Sequence, residues 1–161
     1  MAESAEEQSQ TMMDFVAIDF ETTGFAAGGT NDPWQLGIAV VENGAITSTH
    51  EFFFGTEITP DAEPMFAQWD RWYPLLAGRR LVAHNIATER TILRKTAPLT
   101  KWGPWVDTLK LAKVRYPKLP SYALGDLCEI FGQVPQLEGR TWHDALYDAV
   151  ACANLALLLG A

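Results

Sequence analysis

Asp19 and Glu21 stand two residues apart at the end of the apolar run Phe15-Val16-Ala17-Ile18-Asp19-Phe20. Period two in an extended strand puts both carboxylates on one face. Two like charges there repel, and burying them is costly unless a cation is supplied. A divalent metal is the usual cation for such a pair. A second acid–x–acid pair, Asp61-Ala62-Glu63, lies in a polar stretch without that setting. The plainer reading, a strand that simply ends in acids, needs no metal.

The last helix, expected from about Asp144 to Leu159, gives a sharper clue. It is apolar nearly all round, so it is expected to be buried. Leu146, Val150, Ala153 and Leu157 form one stripe, and Asp148, Cys152, Leu155 and Leu159 a second. Asp148 therefore extends an apolar stripe and should point inward, where a carboxylate needs a partner. With Asp144 as N-cap, His143 sits in the preceding loop and can lean over the helix start. A capping box from Thr141 to Asp144 would instead put His143 inside the first turn.

Other elements must bring these residues together. Phe15–Phe20 reads as a buried first strand, followed by a Gly-rich loop from Phe25 to Pro33. Trp34–Val41 and Ala45–Phe54 form a hairpin around the Asn43-Gly44 turn signal. A helix is expected within 61–77, interrupted around Pro64 and closed by Pro74. Leu81-Val82-Ala83 is a fourth strand ending in His84-Asn85. A helix over Thr88–Thr96 carries Glu89 in its first turn, where the helix dipole favours an acid. Trp105–Asp107 is a fifth strand, followed by a helix over Thr108–Val114. Ser121 is expected to cap a helix ending at Phe131 before Gly132. A hairpin followed by alternating strands and helices implies a mixed α/β sheet with helices on its faces.

Asp19-Phe20-Glu21-Thr22-Thr23-Gly24, Ala83-His84-Asn85, Asp107-Thr108 and His143-x-Ala145-x-x-Asp148 together resemble the DnaQ-like 3′–5′ exonucleases, in their histidine-containing (DEDDh) branch. The resemblance covers Phe15 to about Ala153. It implies a ribonuclease H-like fold, with a mixed five-stranded sheet whose first three strands are antiparallel. It implies Asp19, Glu21, Glu89 and Asp148 as metal ligands and His143 as general base. Thr22, Thr23, Gly24, His84 and Asn85 would hold the terminal nucleotide. Glu89 stands where the family usually has Asp, and Thr88 where it has an aromatic residue. The longer Glu89 is expected to bend back toward the strand end near Ala83.

The residue chemistry agrees. Four carboxylates in one cleft call for cations, and oxygen-only ligands suit Mg²⁺ or Mn²⁺, two ions on the family pattern. Such ions activate a water and stabilise the leaving oxygen of a phosphodiester displacement. Imidazoles titrate near neutral pH, which suits His143 to accept the water's proton. The resemblance then implies a 3′–5′ exonuclease releasing 5′-mononucleotides from single-stranded DNA or RNA 3′ ends. The alternative is a catalytically impaired member acting as a nucleic-acid-binding or interaction module. A small-molecule phosphohydrolase is a further rival. A polymerase partner and a homodimer both stay open.

The chain has 161 residues, 48 % hydrophobic and 20 % charged, which fits one globular domain and excludes disorder and fibrous repeats. Residues 1–12 read as a disordered acidic tail and 13–161 as a single exonuclease domain. No apolar run is long enough for a membrane span and no signal peptide is evident, so a cytoplasmic protein is expected. Cys128 and Cys152 read as reduced core residues. The net charge of −8 hides an asymmetry. Residues 1–70 hold thirteen acids and no Lys or Arg, whereas 71–118 hold eleven of the twelve bases. That segment can steer a phosphate backbone toward an acidic cleft, and Trp69, Trp72, Tyr73, Trp102 and Trp105 lie in or beside it. Some of these are expected to stack on bases and more to pack the core.

Overall fold

The computed structural model describes residues 14–24 and 31–161. The expected acidic tail and most of the Gly-rich loop lie outside the described residues. Among those described, five strands are β1 (Phe15–Thr22), β2 (Pro33–Glu42), β3 (Ala45–Phe53), β4 (Leu81–Ala83) and β5 (Trp105–Asp107). They form one sheet in the order β3-β2-β1-β4-β5. β1 to β3 are antiparallel, while β4 and β5 run parallel to β1.

A strand without polar alternation needs cover on both faces, and β1 has it. Val16, Ile18 and Phe20 pack with Leu36 and Ile38 against one helical layer. That layer holds α1 (Trp69–Leu76), entered through a 3₁₀ turn at Met65–Gln68, and α2 (Ala87–Thr96). Phe15 and Ala17 face the other way with Ala39, Val41 and Val82. There they meet α5 (Ala145–Leu159), which α3 (Thr108–Arg115) and α4 (Leu124–Phe131) flank. The hairpin turn has Asn43 at φ 52° and Gly44 at φ 78°, the double left-handed geometry of a type I′ turn.

Two local expectations give way to packing. Pro74 lies inside α1 rather than closing it. Trp72 and Leu76 are both fully buried, and this anchoring carries the helix two residues past the missing N–H. Ser121 is not the cap of α4, which begins at Leu124 after an extended Ala123. The Ser121 hydroxyl accepts from Ala123 N at 3.2 Å and donates to Asp126 Oδ2 at 2.6 Å, shaping the turn before the helix. Asp144 does cap α5, accepting from Tyr147 N at 3.1 Å, and this leaves His143 in the loop. Both cysteines are buried and free. Among the described residues no helix is long and apolar enough to cross a membrane.

The charged cluster below depends on how closely α5 approaches the sheet. Gly37 of β2 pairs with Asp19. A Cβ on Gly37 would lie 2.1 Å from the Ala145 carbonyl oxygen, so only glycine fits. Gly37→Ala should therefore force the start of α5 off the sheet and cost about 1–3 kcal/mol, the range for overpacking a rigid contact. Urea unfolding measures this. Wild-type stability in that variant would mean that the helix start yields freely.

Candidate active site

β1 carries Asp19 and Glu21 out of the core on the face covered by α5. Asp148, in the first turn of α5, meets them there. Ligand atoms of Glu21, His143 and Asp148 all lie within 4.8 Å of one another. His143 is exposed, and its backbone is left-handed at φ 70°, an uncommon conformation for a residue with a side chain. Glu89 completes the cluster from α2. It is only 4 % exposed and accepts a hydrogen bond from Phe20 N at 3.4 Å. Its side chain thus reaches back to β1, where the N–H of Phe20 receives it.

The electrostatics are those of crowded, desolvated acids. Burial, reinforced by Glu89, Asp148 and Glu21, raises the pKa of Asp19 well above the ordinary carboxylate value. Burial pushes Glu89 up to about 7, against the pull of its own and Phe20's N–H groups. Asp148 is pushed up to about 6 by burial and then by Glu21, opposed by the backbone N–H of His143. Glu21 is raised by burial, with Asp19 and His143 opposing. Asp19 Oδ2 and Asp148 Oδ1 are sealed from solvent with no hydrogen-bond partner among the described residues. Buried acceptors are normally satisfied, so the two bare oxygens fit a cation between β1 and α5. The all-oxygen carboxylate set suits Mg²⁺ or Mn²⁺.

A ring of polar side chains, which the sequence reading missed, ties the start of α5 to the sheet. Gln35 of β2 is 2 % exposed. Its Oε1 accepts from Ala145 N at 3.1 Å, and its Nε2 donates to Glu51 Oε1 at 3.2 Å. Glu51 Oε2 meets Arg140 Nη2 at 2.6 Å, and Arg140 Nη1 reaches Asp144 Oδ1 at 3.1 Å. His143 stands in the segment this ring closes. One signal was available: Gln35 interrupts an apolar strand, and Gly37 follows it.

The second motif is held mainly by internal bonds. Asp107 accepts from Asn85 N at 2.8 Å, Ile86 N at 3.4 Å and Leu109 N at 3.0 Å. Asn85 is left-handed at φ 63° and exposed. His84 departs from its expected place in substrate binding. Its Nε2 donates to the Tyr122 carbonyl at 2.7 Å, and its Nδ1 lies 2.8 Å from Thr108 Oγ1. Burial lowers its pKa, against the Tyr122 carbonyl and Asp107. A neutral ring donating through Nε2 accepts the Thr108 proton at Nδ1, so both nitrogens are committed within the fold. Thr22, Thr23 and Gly24 lead out of β1 beside the acids. The Thr23 hydroxyl accepts from Asp32 N at 3.0 Å, and Gly24 N donates to Asn31 Oδ1 at 2.9 Å. Of the aromatic residues in and beside the basic segment, Trp72 is core and the others pack against it: Trp69 stacks on Tyr73 at 4.0 Å, and Trp72 contacts Trp69 and Trp102.

Comparison with known proteins places this geometry. The exonuclease family model RNase_T matches residues 56–156. The PolC-type DNA polymerase III of Halalkalibacterium halodurans is 30 % identical over 162 residues, covering 88 % of this chain and 11 % of the polymerase. That of Mycoplasmopsis pulmonis is 28 % identical, covering 90 % and 11 %. The chain thus spans about a tenth of the length of these relatives. Among solved structures, exonuclease X in complex with 5′ overhanging duplex DNA aligns with a TM-score of 0.68 at 22 % identity, over 89 % of both chains. The nuclease domain of 3′hExo, a DEDDh family member bound to rAMP, aligns at 0.67 and 17 % identity, over 91 % of both. These likenesses give the expected ribonuclease H-like fold. The sheet order, the motifs and the family match agree, and the chain belongs to the RNase_T family of DnaQ-like exonucleases.

Proposed function

We propose that the chain is a divalent-metal-dependent 3′–5′ exonuclease that releases 5′-mononucleotides from single-stranded 3′ ends. The observation that carries this reading is the pair of bare, buried oxygens, Asp19 Oδ2 and Asp148 Oδ1, beside Glu21 and His143. Asp19, Glu21, Glu89 and Asp148 hold the cations, a pair of Mg²⁺ or Mn²⁺ ions. Bound there, they supply positive charge that makes water more acidic and steadies negative charge on the phosphodiester. The His143 imidazole takes the proton from the attacking water and, being exposed, passes it to solvent. Thr22, Thr23, Gly24 and Asn85 hold the terminal nucleotide. His84 acts from behind, keeping Asn85 in place through Thr108 and Tyr122. The likeness to PolC-type DNA polymerases favours DNA over RNA. The burial of Glu89 beside Asp19 supports an active enzyme over an impaired, binding-only member.

Oligonucleotides labelled at the 5′ end test the reaction. The label should shorten one nucleotide at a time with Mg²⁺ or Mn²⁺ and stay intact in excess EDTA, while DNA outpaces matched RNA. Hydrolysis that persists undiminished in EDTA would remove the metal from the scheme. His143→Ala should lower kcat by ~10²–10⁴-fold with Mn²⁺ affinity retained in calorimetry. Collapse of that affinity would make His143 a ligand.

Glu89→Gln removes one negative charge from the cluster and should lose most activity even at saturating Mn²⁺. Wild-type turnover would reduce Glu89 to a helix-start acid. A pH dependence of stability follows as well. Asp19, Glu89 and Asp148 all have raised pKa values, so the metal-free fold binds more protons than the unfolded chain. Stability must then fall with rising pH. In EDTA, Tm should be highest near the ordinary carboxylate range and drop as pH passes about 6 for Asp148 and about 7 for Glu89. Mn²⁺ should reverse the drop. A metal-free Tm that climbs through this interval would mean the acids are not mutually strained.

A further inference from the structure

We infer that the β5 edge of the sheet forms a second nucleic-acid groove, which grips the strand upstream of the hydrolysed end. This rests on the nuclease reading above. Trp105 lines two cavities. One, of about 310 Å³, is lined by Arg90, Arg94, Pro98, Thr100 and Trp102 as well as Trp105. The other, of about 570 Å³, lies at the start of β1 and β5 and is bordered by Arg79, Arg80, Phe15 and Asp14 in addition to Trp105. Arg90 lies in the first turn of α2 with Glu89, so the Arg90 end of the groove is the end nearer the carboxylate cluster. Arg94 lies one helical turn on, about 6 Å further along α2.

Charge and shape suit an extended polyanion. Arg79, Arg90 and Arg94 are exposed, and none makes an ion pair among the described residues, although the chain holds twenty acids. The acid that borders the groove is engaged elsewhere: Asp14 Oδ1 accepts from Asn43 N at 2.7 Å. One wall is fixed in advance, because Trp102 Nε1 donates to the Leu93 carbonyl at 3.0 Å and the Ala97 carbonyl at 3.3 Å. Trp105, half-buried at the junction, offers an indole on which a base can stack. A compact anion would occupy one cavity, whereas arginines spread over both with an indole between them match the phosphate–base alternation of a single strand.

The test uses the full chain, the double variant Arg79→Gln/Arg94→Gln, and two labelled DNAs. One is a dinucleotide and the other a strand of about 16 nucleotides, the upper end of common single-strand site sizes. Anisotropy in EDTA reads binding without turnover. The double variant should bind the long strand about 10-fold more weakly, with the salt slope reduced by about 1.4, two contacts at about 0.7 each. It should hydrolyse the dinucleotide in Mn²⁺ at the wild-type rate. Lysine at both positions should restore the slope. An unchanged affinity and slope for the long strand would overturn the proposal. So would a loss confined to polyglutamate, used as an acidic-protein probe. Failure of the wild type to hydrolyse either DNA would instead refute the nuclease reading, with the groove still judged by anisotropy.

Discussion

Asp19, Glu21, Glu89 and Asp148 crowd one cleft, where burial and one another's charge disfavour their ionised forms. That repulsion shapes the surrounding structure. Without cations the acids relieve it by keeping protons, as the raised pKa values of Asp19, Glu89 and Asp148 show. A fold that holds such groups together must fix them from outside, since their charged forms do not attract one another. β1 does so by being buried on both faces, which leaves Asp19 and Glu21 no freedom to turn away. Glu89 is fixed by the N–H of Phe20 on the same strand.

Asp148 and His143 need a different anchor, because α5 touches the sheet through small residues with little grip of their own. Gly37 lets the helix start lie directly on β2, and Gln35, Glu51, Arg140 and Asp144 fasten it there. The ring is charge-assisted and partly shielded, a setting in which such hydrogen bonds are stronger than at the open surface. Asp144 has two tasks, capping α5 and holding Arg140, and it also sits near enough to Glu21 and Asp148 to add to their repulsion. Arg140 offsets that negative charge.

The sheet was legible in the sequence because its signals are local. The apolar run of β1, the Asn43-Gly44 turn and the buried pattern of α5 each depend on neighbouring residues. The acids were legible for the same reason, since spacing of two on a strand or a place on an apolar stripe fixes their direction. What escaped was long-range. Gln35 and Ala145 are 110 positions apart, and Glu51 and Arg140 are 89. No periodicity reports such pairs. His84 was misplaced in substrate binding because its commitments, to Thr108 and Tyr122, lie 24 and 38 residues away. Pro74 and Ser121 misled because a local stop signal and a local cap lost to burial and to a competing turn.

The scatter of the acids along the chain has a consequence for synthesis. Asp19 and Glu21 are made before Glu89, and Glu89 before Asp148, and α5 packs only once the stretch through Leu159 is free. A nascent chain therefore carries separate acidic segments but no assembled cluster. The order of residues in the polypeptide thus acts as a timer, delaying assembly of the cluster until the fold that confines it is complete.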